Sequence, residues 1–136
     1  LQVHPKMNAN ITVLKLFPGI TKATVKAILN QHKTEAVLLE TFGSGNAPTS
    51  KWFLDEIEAA INKGLLILNV SQCMGGSVEL GRYETSKRLK DIGVLSAYDM
   101  SFEAALTKLM FVLGYTKNKE KRIALLSANL QGEMTL

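Results

Sequence analysis

Cysteine occurs once in this sequence, as Cys73, so no intrachain disulfide can form and the fold must rest on its core. A lone sulfur is what a reducing compartment leads one to expect, and the expected location is cytoplasmic. Histidine is nearly as scarce: His4 and His32 are the only two. Two distant histidines and one cysteine make no metal-ligand cluster. No Ser–His–acid set, no well-placed carboxylate pair and no cofactor-binding box stands out, so neither a metal nor a cofactor is expected. Long hydrophobic runs are missing too. The longest, Leu65-Leu66-Ile67-Leu68-Asn69-Val70, is interrupted by Asn69 and falls far short of the roughly 20 residues that span a bilayer. Nor is there a secretory signal pattern. A dominant charge is absent: 16 basic residues face 12 acidic ones, for a net charge of +4. The densest basic run, Lys117-Asn118-Lys119-Glu120-Lys121-Arg122, contains an acid and reads as a solvated helix face, which argues against a nucleic-acid stripe. An initiator Met is lacking as well, and Leu1-Gln2-Val3-His4 reads as mid-chain sequence.

What is present is core material. Hydrophobic residues make up 46% of 136 positions, enough for one ordinary domain. The β-rich segment Ile11-Thr12-Val13-Leu14-Lys15-Leu16-Phe17 predicts a strand ending at Pro18-Gly19. Thr21 is placed to cap a helix carrying Ala23, Val25, Ala27, Ile28 and Leu29. Ala36-Val37-Leu38-Leu39 suits a strand covered on both faces. After a glycine-rich turn, Thr49 or Ser50 can cap a helix with Phe53, Leu54, Ile57, Ala60 and Ile61 at helical spacing, stopping near Gly64. Residues 65–70 form the clearest strand. Further helices are predicted over residues 85–90, from Ser101 through Leu113, and over residues 119–130, the second with Phe102, Ala105, Leu106, Leu109 and Met110 on its apolar side. Strands alternating with helices predict one α/β domain, a small parallel sheet sandwiched between helices. Two loops fall at the carboxyl edge of that sheet, residues 41–48 and 71–77, where ligands of such sheets bind.

The turn Gly43-Ser44-Gly45-Asn46 has two readings. Its glycines permit positive φ and its amides could hold an anion, while the Asn46 carboxamide suits an amide or carboxylate. Alternatively it is a plain strand-to-helix turn in which Asn is favoured for the left-handed conformation. No Lys-Ser/Thr pair follows, so it is no phosphate loop. Cys73 as a nucleophile would need a base, and neither histidine is expected near it. Gly75-Gly76 reads as an adaptable loop or a plain one. Tyr83 is either a pocket or a core residue.

Four segments, in order, resemble one family. Leu39-Glu40-Thr41-Phe42-Gly43-Ser44-Gly45-Asn46-Ala47-Pro48 is similar to the second-domain loop of type I (cytoplasmic) L-asparaginases. Leu68-Asn69-Val70-Ser71-Gln72-Cys73-Met74-Gly75-Gly76 is similar to their next strand and loop. Asp99-Met100-Ser101-Phe102-Glu103-Ala104-Ala105-Leu106-Thr107-Lys108-Leu109 resembles a helix start, and Asn129-Leu130-Gln131-Gly132-Glu133-Met134-Thr135 a closing motif, with Gln131 in place of Arg. The resemblance implies the Rossmann-like C-terminal domain of a two-domain amidohydrolase that converts L-asparagine to aspartate and ammonia. The Thr nucleophile and its Thr-Asp-Lys machinery belong to an N-terminal domain with no counterpart here, so no catalytic residue is assigned.

In that family the C-terminal domain completes the active site of a neighbouring subunit in a dimer or tetramer. Asn46, with Gly45, inherits that role. Some members bind effector asparagine near the positions of Ser71 and Cys73. They carry Arg where this chain has Glu40, and Glu repels the carboxylate that Arg would pair. The expected partners are L-asparagine, the chain's own N-terminal domain and further copies, with no nucleic acid and no membrane. The alternatives are the asparaginase-like subunit of a tRNA-dependent amidotransferase and a free-standing ligand-binding or interaction module.

Overall fold

Short runs of β-branched and leucine residues form four strands, and amphipathic segments between them form helices that return the chain. A computed structural model describes Val3, residues 6–81 and residues 84–135. The order is β1 (Ile11–Lys15), α1 (Lys22–Leu29), β2 (Ala36–Thr41), α2 (Lys51–Asn62), β3 (Leu66–Ser71), α3 (Glu84–Asp91), β4 (Leu95–Ser96), α4 (Phe102–Tyr115) and α5 (Lys119–Ser127). The sheet runs β1-β2-β3-β4 with every pair parallel. Leu14, Leu39, Asn69 and Ser96 lie in one row across it.

Alternation along the strands sorts the core into two layers. Leu14, Val37, Leu39 and Ile67 pack with Val25 and Leu29 of α1, Phe53 and Ile57 of α2, and Leu89 of α3. Ala36, Leu38, Leu66, Leu68 and Val70 pack with Ala105, Leu109, Val112 and Leu113 of α4 and Leu126 of α5. The expected sandwich is therefore what forms. Each fully buried Leu or Phe contributes about 1.5–3 kcal/mol. Thr21 and Ser101 cap α1 and α4 as expected, accepting from Thr24 and Ala104 amides at 3.2 and 3.1 Å. Ser50 occupies the cap position of α2 without a side-chain capping bond.

Three expectations need correction, and one strand, β4, is not expected at all. β1 stops at Lys15, because the chain is already turning toward Pro18-Gly19 and leaves Phe17 half-exposed. α5 ends at Ser127 and does not reach Leu130, since Asn129 folds back and accepts from the Gly132 amide at 2.7 Å. β4 is only two residues long, too short to leave a periodic signal. The basic run is not a purely solvated face. Arg122 is buried, and its guanidinium donates to the Thr116 and Leu113 carbonyls and to Glu35. His4 and Tyr83 lie outside the described residues.

Two carboxylates tie the helical layer down. Glu35, at the amino edge of β2, accepts from Asn8 and Asn10 and pairs with Arg122 at 3.1 Å and Lys117 at 3.3 Å. Burial pushes its pKa up, but these donors outweigh it and hold the carboxyl at about 2. Glu133 pairs with the buried Lys108 at 2.6 Å and accepts from the Leu130 and Gln131 amides. Burial again opposes, and again the donors win, leaving about 2. The helix-start and closing motifs are thus two ends of one buried ion pair.

Both depressed carboxyls stabilise the fold above an unfolded pKa near 4.5, and that contribution is lost as pH falls toward 2. The expected loss is ~2 kcal/mol per group. Denaturant titrations of the chain between pH 5 and 2 should show the decline, with Glu35→Gln removing part of it. Lys108→Ala should destabilise by about 2–3 kcal/mol because it leaves the partly buried Glu133 carboxylate without its cation. Lys51→Ala, which removes an exposed i,i+4 pair with Asp55, should change stability by less than about 0.5 kcal/mol. Equal effects in urea denaturation would show that Lys108–Glu133 is no keystone.

Candidate functional site

At the carboxyl edge the strand ends are laced by side chains. Gln72 follows β3, and its amide donates to the carbonyls of Leu16 at 2.7 Å and Glu40 at 2.9 Å, bridging the ends of β1 and β2. The Thr41 hydroxyl donates to Asn69 Oδ1 at 2.7 Å. The Ser71 hydroxyl donates to the Gly43 carbonyl at 2.6 Å and accepts from the Cys73 amide at 3.0 Å. Residues 78–80 form a strap over the same edge. The Val78 amide donates to the Tyr98 carbonyl, Ser96 donates to the Val78 carbonyl, and the Glu79 amide donates to the Ser44 carbonyl.

These bonds present the turn that carries Asn46. Gly43 and Gly45 take φ of 48° and 108°, conformations that glycine adopts without a Cβ penalty. Gly45 is also buried: a Cβ there would lie 3.2 Å from Val78 Cγ1 and 3.5 Å from Asn69 Nδ2. Asn46 itself is not left-handed, so that explanation of an Asn here fails. Nor is the turn an open anion cradle, because the Gly45 and Asn46 amides both donate to the Phe42 carbonyl. The Asn46 carbonyl in turn accepts from the Phe42 amide at 2.8 Å. The Asn46 backbone is pinned in an isolated β-bridge, whereas its half-buried carboxamide makes no hydrogen bond to any described residue. Two donors and an acceptor are therefore held ready on a fixed backbone.

The residues singled out as an effector site do not converge. Ser71 lies on the sheet face of Ile67, under the turn, and its hydroxyl is fully engaged. Glu40 lies on the opposite face with Leu38, 3.7 Å from Lys15. Cys73 is an exposed free thiol. His32 follows α1 at the other edge of the sheet, so it forms no dyad with Cys73. Gly75 and Gly76 form a turn closed by the Gly76 amide on the Cys73 carbonyl.

Sequence reasoning did not pick out Gln72 or Asn69 as site residues. A signal for Asn69 existed, since it interrupts the most apolar run of the chain. Asn69 is completely buried, and its Nδ2 has no hydrogen-bond partner among the described residues. Among those residues no helix is long and apolar enough to cross a membrane, and no group of three or more His, Cys, Asp or Glu side chains could hold a metal.

Residues 10–126 match the family described as the glutaminase/asparaginase C-terminal domain. L-asparaginase 1 of Escherichia coli K12 is 39% identical over 135 residues, covering 99% of this chain and 40% of that protein. The human 60 kDa lysophospholipase is 42% identical over 136 residues, covering 99% of this chain and 23% of that protein. A glutamyl-tRNA(Gln) amidotransferase subunit of Pyrococcus abyssi is more distant, at 31% identity over 99% of this chain and 30% of that protein. The crystal structure of L-asparaginase I from Vibrio cholerae superimposes with a TM-score of 0.92 at 39% identity, over 99% of this chain and 40% of that one. The chain thus spans less than half the length of these relatives, and over that span it belongs to the glutaminase/asparaginase C-terminal domain family.

Proposed function

We propose that this chain is the site-completing half of an L-asparaginase, which hydrolyses L-asparagine to L-aspartate and ammonia and carries its Thr nucleophile in a separate N-terminal domain. The observation that carries this reading is the Asn46 carboxamide, unpartnered among the described residues and set on a pinned backbone at the carboxyl edge of the sheet. An amide so held orients a small amide or carboxylate substrate with little entropy left to lose. Among the described residues Cys73 and His32 form no nucleophile–base pair. Its role is to complete the site of a neighbouring copy in a dimer or tetramer, in the cytoplasm. Phe17 and Met74 support a covered edge: both are exposed apolar residues in loops leaving the carboxyl ends of strands. The higher identity to the L-asparaginase, 39% against 31%, favours this reading over the amidotransferase alternative.

Ammonia release by the complete gene product and by the 136-residue chain tests the proposal. The complete protein should turn over L-asparagine and the chain alone should not. In the complete protein, Asn46→Ala should lower kcat/KM by about 10–100-fold and leave Tm unchanged, because the side chain holds nothing in the fold. Turnover by the chain alone, or an inert Asn46→Ala, would contradict the proposal. So would hydrolysis of a lysophospholipid in place of asparagine. A second expectation follows from Glu40. It stands where effector-binding members of the family carry Arg, and its carboxylate, already paired with Lys15, offers an effector carboxylate no cation, so rate curves in asparagine should be hyperbolic. Sigmoidal curves that become hyperbolic in Cys73→Ala would show that the effector site works despite Glu40.

A further inference from the structure

We propose that Asn69 is a positioning residue for Asn46, an inference that rests on the site-completing role just given to Asn46. Three consecutive residues of the turn each have their own anchor. The Gly43 carbonyl is held by the Ser71 hydroxyl, the Ser44 carbonyl by the Glu79 amide, and Gly45 rests against Asn69. The next residue is Asn46, whose side chain no described residue holds. Two anchors are hydrogen bonds. The third is a flat carboxamide whose plane is fixed by the Thr41 hydroxyl at 2.7 Å, with Nδ2 only 3.5 Å from the Cβ position of Gly45. Val78 and Leu80 close on Gly45 as well, at 3.2 and 3.8 Å from the same position. The turn is therefore seated on Val78, Leu80 and the Asn69 amide together, and Asn69 is the polar member of that seat.

Packing alone does not account for an asparagine here. Residue 69 is completely buried on the sheet face of Val37, Leu39 and Ile67, which at its carboxyl end also carries Thr41 and Ser71. A buried donor without a partner is a cost that an apolar side chain of similar volume would avoid. Turning the amide over exchanges one orphan for another: Nδ2 would donate to the Thr41 hydroxyl, and the Asn69 oxygen would face Gly45 unpartnered. Such departures from local consistency gather at functional sites. This one touches Gly45, the residue before the uncommitted Asn46 carboxamide. The backbone of Asn69 adds to its grip, since its carbonyl accepts from the Ala97 amide at 2.8 Å, linking the seat to the end of β4.

The test is a double-mutant cycle in the complete enzyme, with kcat, KM and Tm read for each variant. Replacing the polar pair by apolar residues, Thr41→Val with Asn69→Leu, should keep or raise Tm yet lower kcat about tenfold. The same pair introduced into Asn46→Ala should cause no further loss, because the residue it positions is gone. Should the pair fail to fold, Asn69→Ser gives the same cycle. A loss of equal size in both backgrounds, or a loss that simply tracks Tm, would make Asn69 structural and overturn the proposal. If Asn46→Ala is costly and the Asn69 variants are inert, only the positioning role fails. If Asn46→Ala is itself inert, both ideas fail together.

Discussion

Everything in this domain follows from four strands joined parallel in sequential order. Adding each strand on the same side of the last puts α1, α2 and α3 on one face, and the remaining face must be covered by α4 and α5. Open α/β sheets form their ligand crevice where strand order reverses and successive crossovers diverge. This sheet has no such reversal. Its carboxyl edge is consequently a ledge, built from the loops after β1, β2 and β3 and the strap of residues 78–80. A ledge can present groups but cannot enclose a small substrate. The lack of a strand-order reversal is the structural reason to look for the rest of the site on another surface.

The ledge is made rigid by polar side chains spent on backbone groups. Gln72 bridges the carbonyls that end β1 and β2, and Ser71 ties β3 to the glycine turn. Asn69 and, one row further along, Thr41 lie beneath it, joined by a hydrogen bond. These are neutral hydrogen bonds, each worth about 1 kcal/mol net, so the edge gains order more than stability. Stability comes from the two apolar layers and from the helical layer's attachment through Glu35 and Glu133. The division is useful: the charged anchors, Arg122–Glu35 and Lys108–Glu133, are separate from the turn.

The layered α/β fold was legible because its signals are local and repeated. Alternating strands and amphipathic helices, the Thr21 and Ser101 caps and the glycine turn all lie within short windows. What escaped was long-range. Arg122 sits in a run whose composition reads as solvated, and its burial rests on partners outside that run: the Leu113 and Thr116 carbonyls and Glu35, 87 residues earlier. Lys108 and Glu133 stand in separate motifs, and nothing in either says that they meet. β4 is held by pairing with β3 and by the bonds of residues 78–98, which two residues of sequence cannot announce.

The site was legible only in part, and for a related reason. Gly43, Gly45 and Asn46 could be named because a glycine pair with an adjacent amide is a local pattern. Their local reading was nonetheless ambiguous, and geometry resolved it in an unforeseen way. The glycines take the positive φ, Asn46 does not, and the amides that might have bound an anion are spent on Phe42. What remains unspent is a side chain. An asparagine chosen for its backbone would have been found in the left-handed region or with its amide turned back onto the chain. Asn46 does neither, so its carboxamide stays uncommitted among the described residues; on the reading proposed above, the surface that meets it brings the reacting atoms.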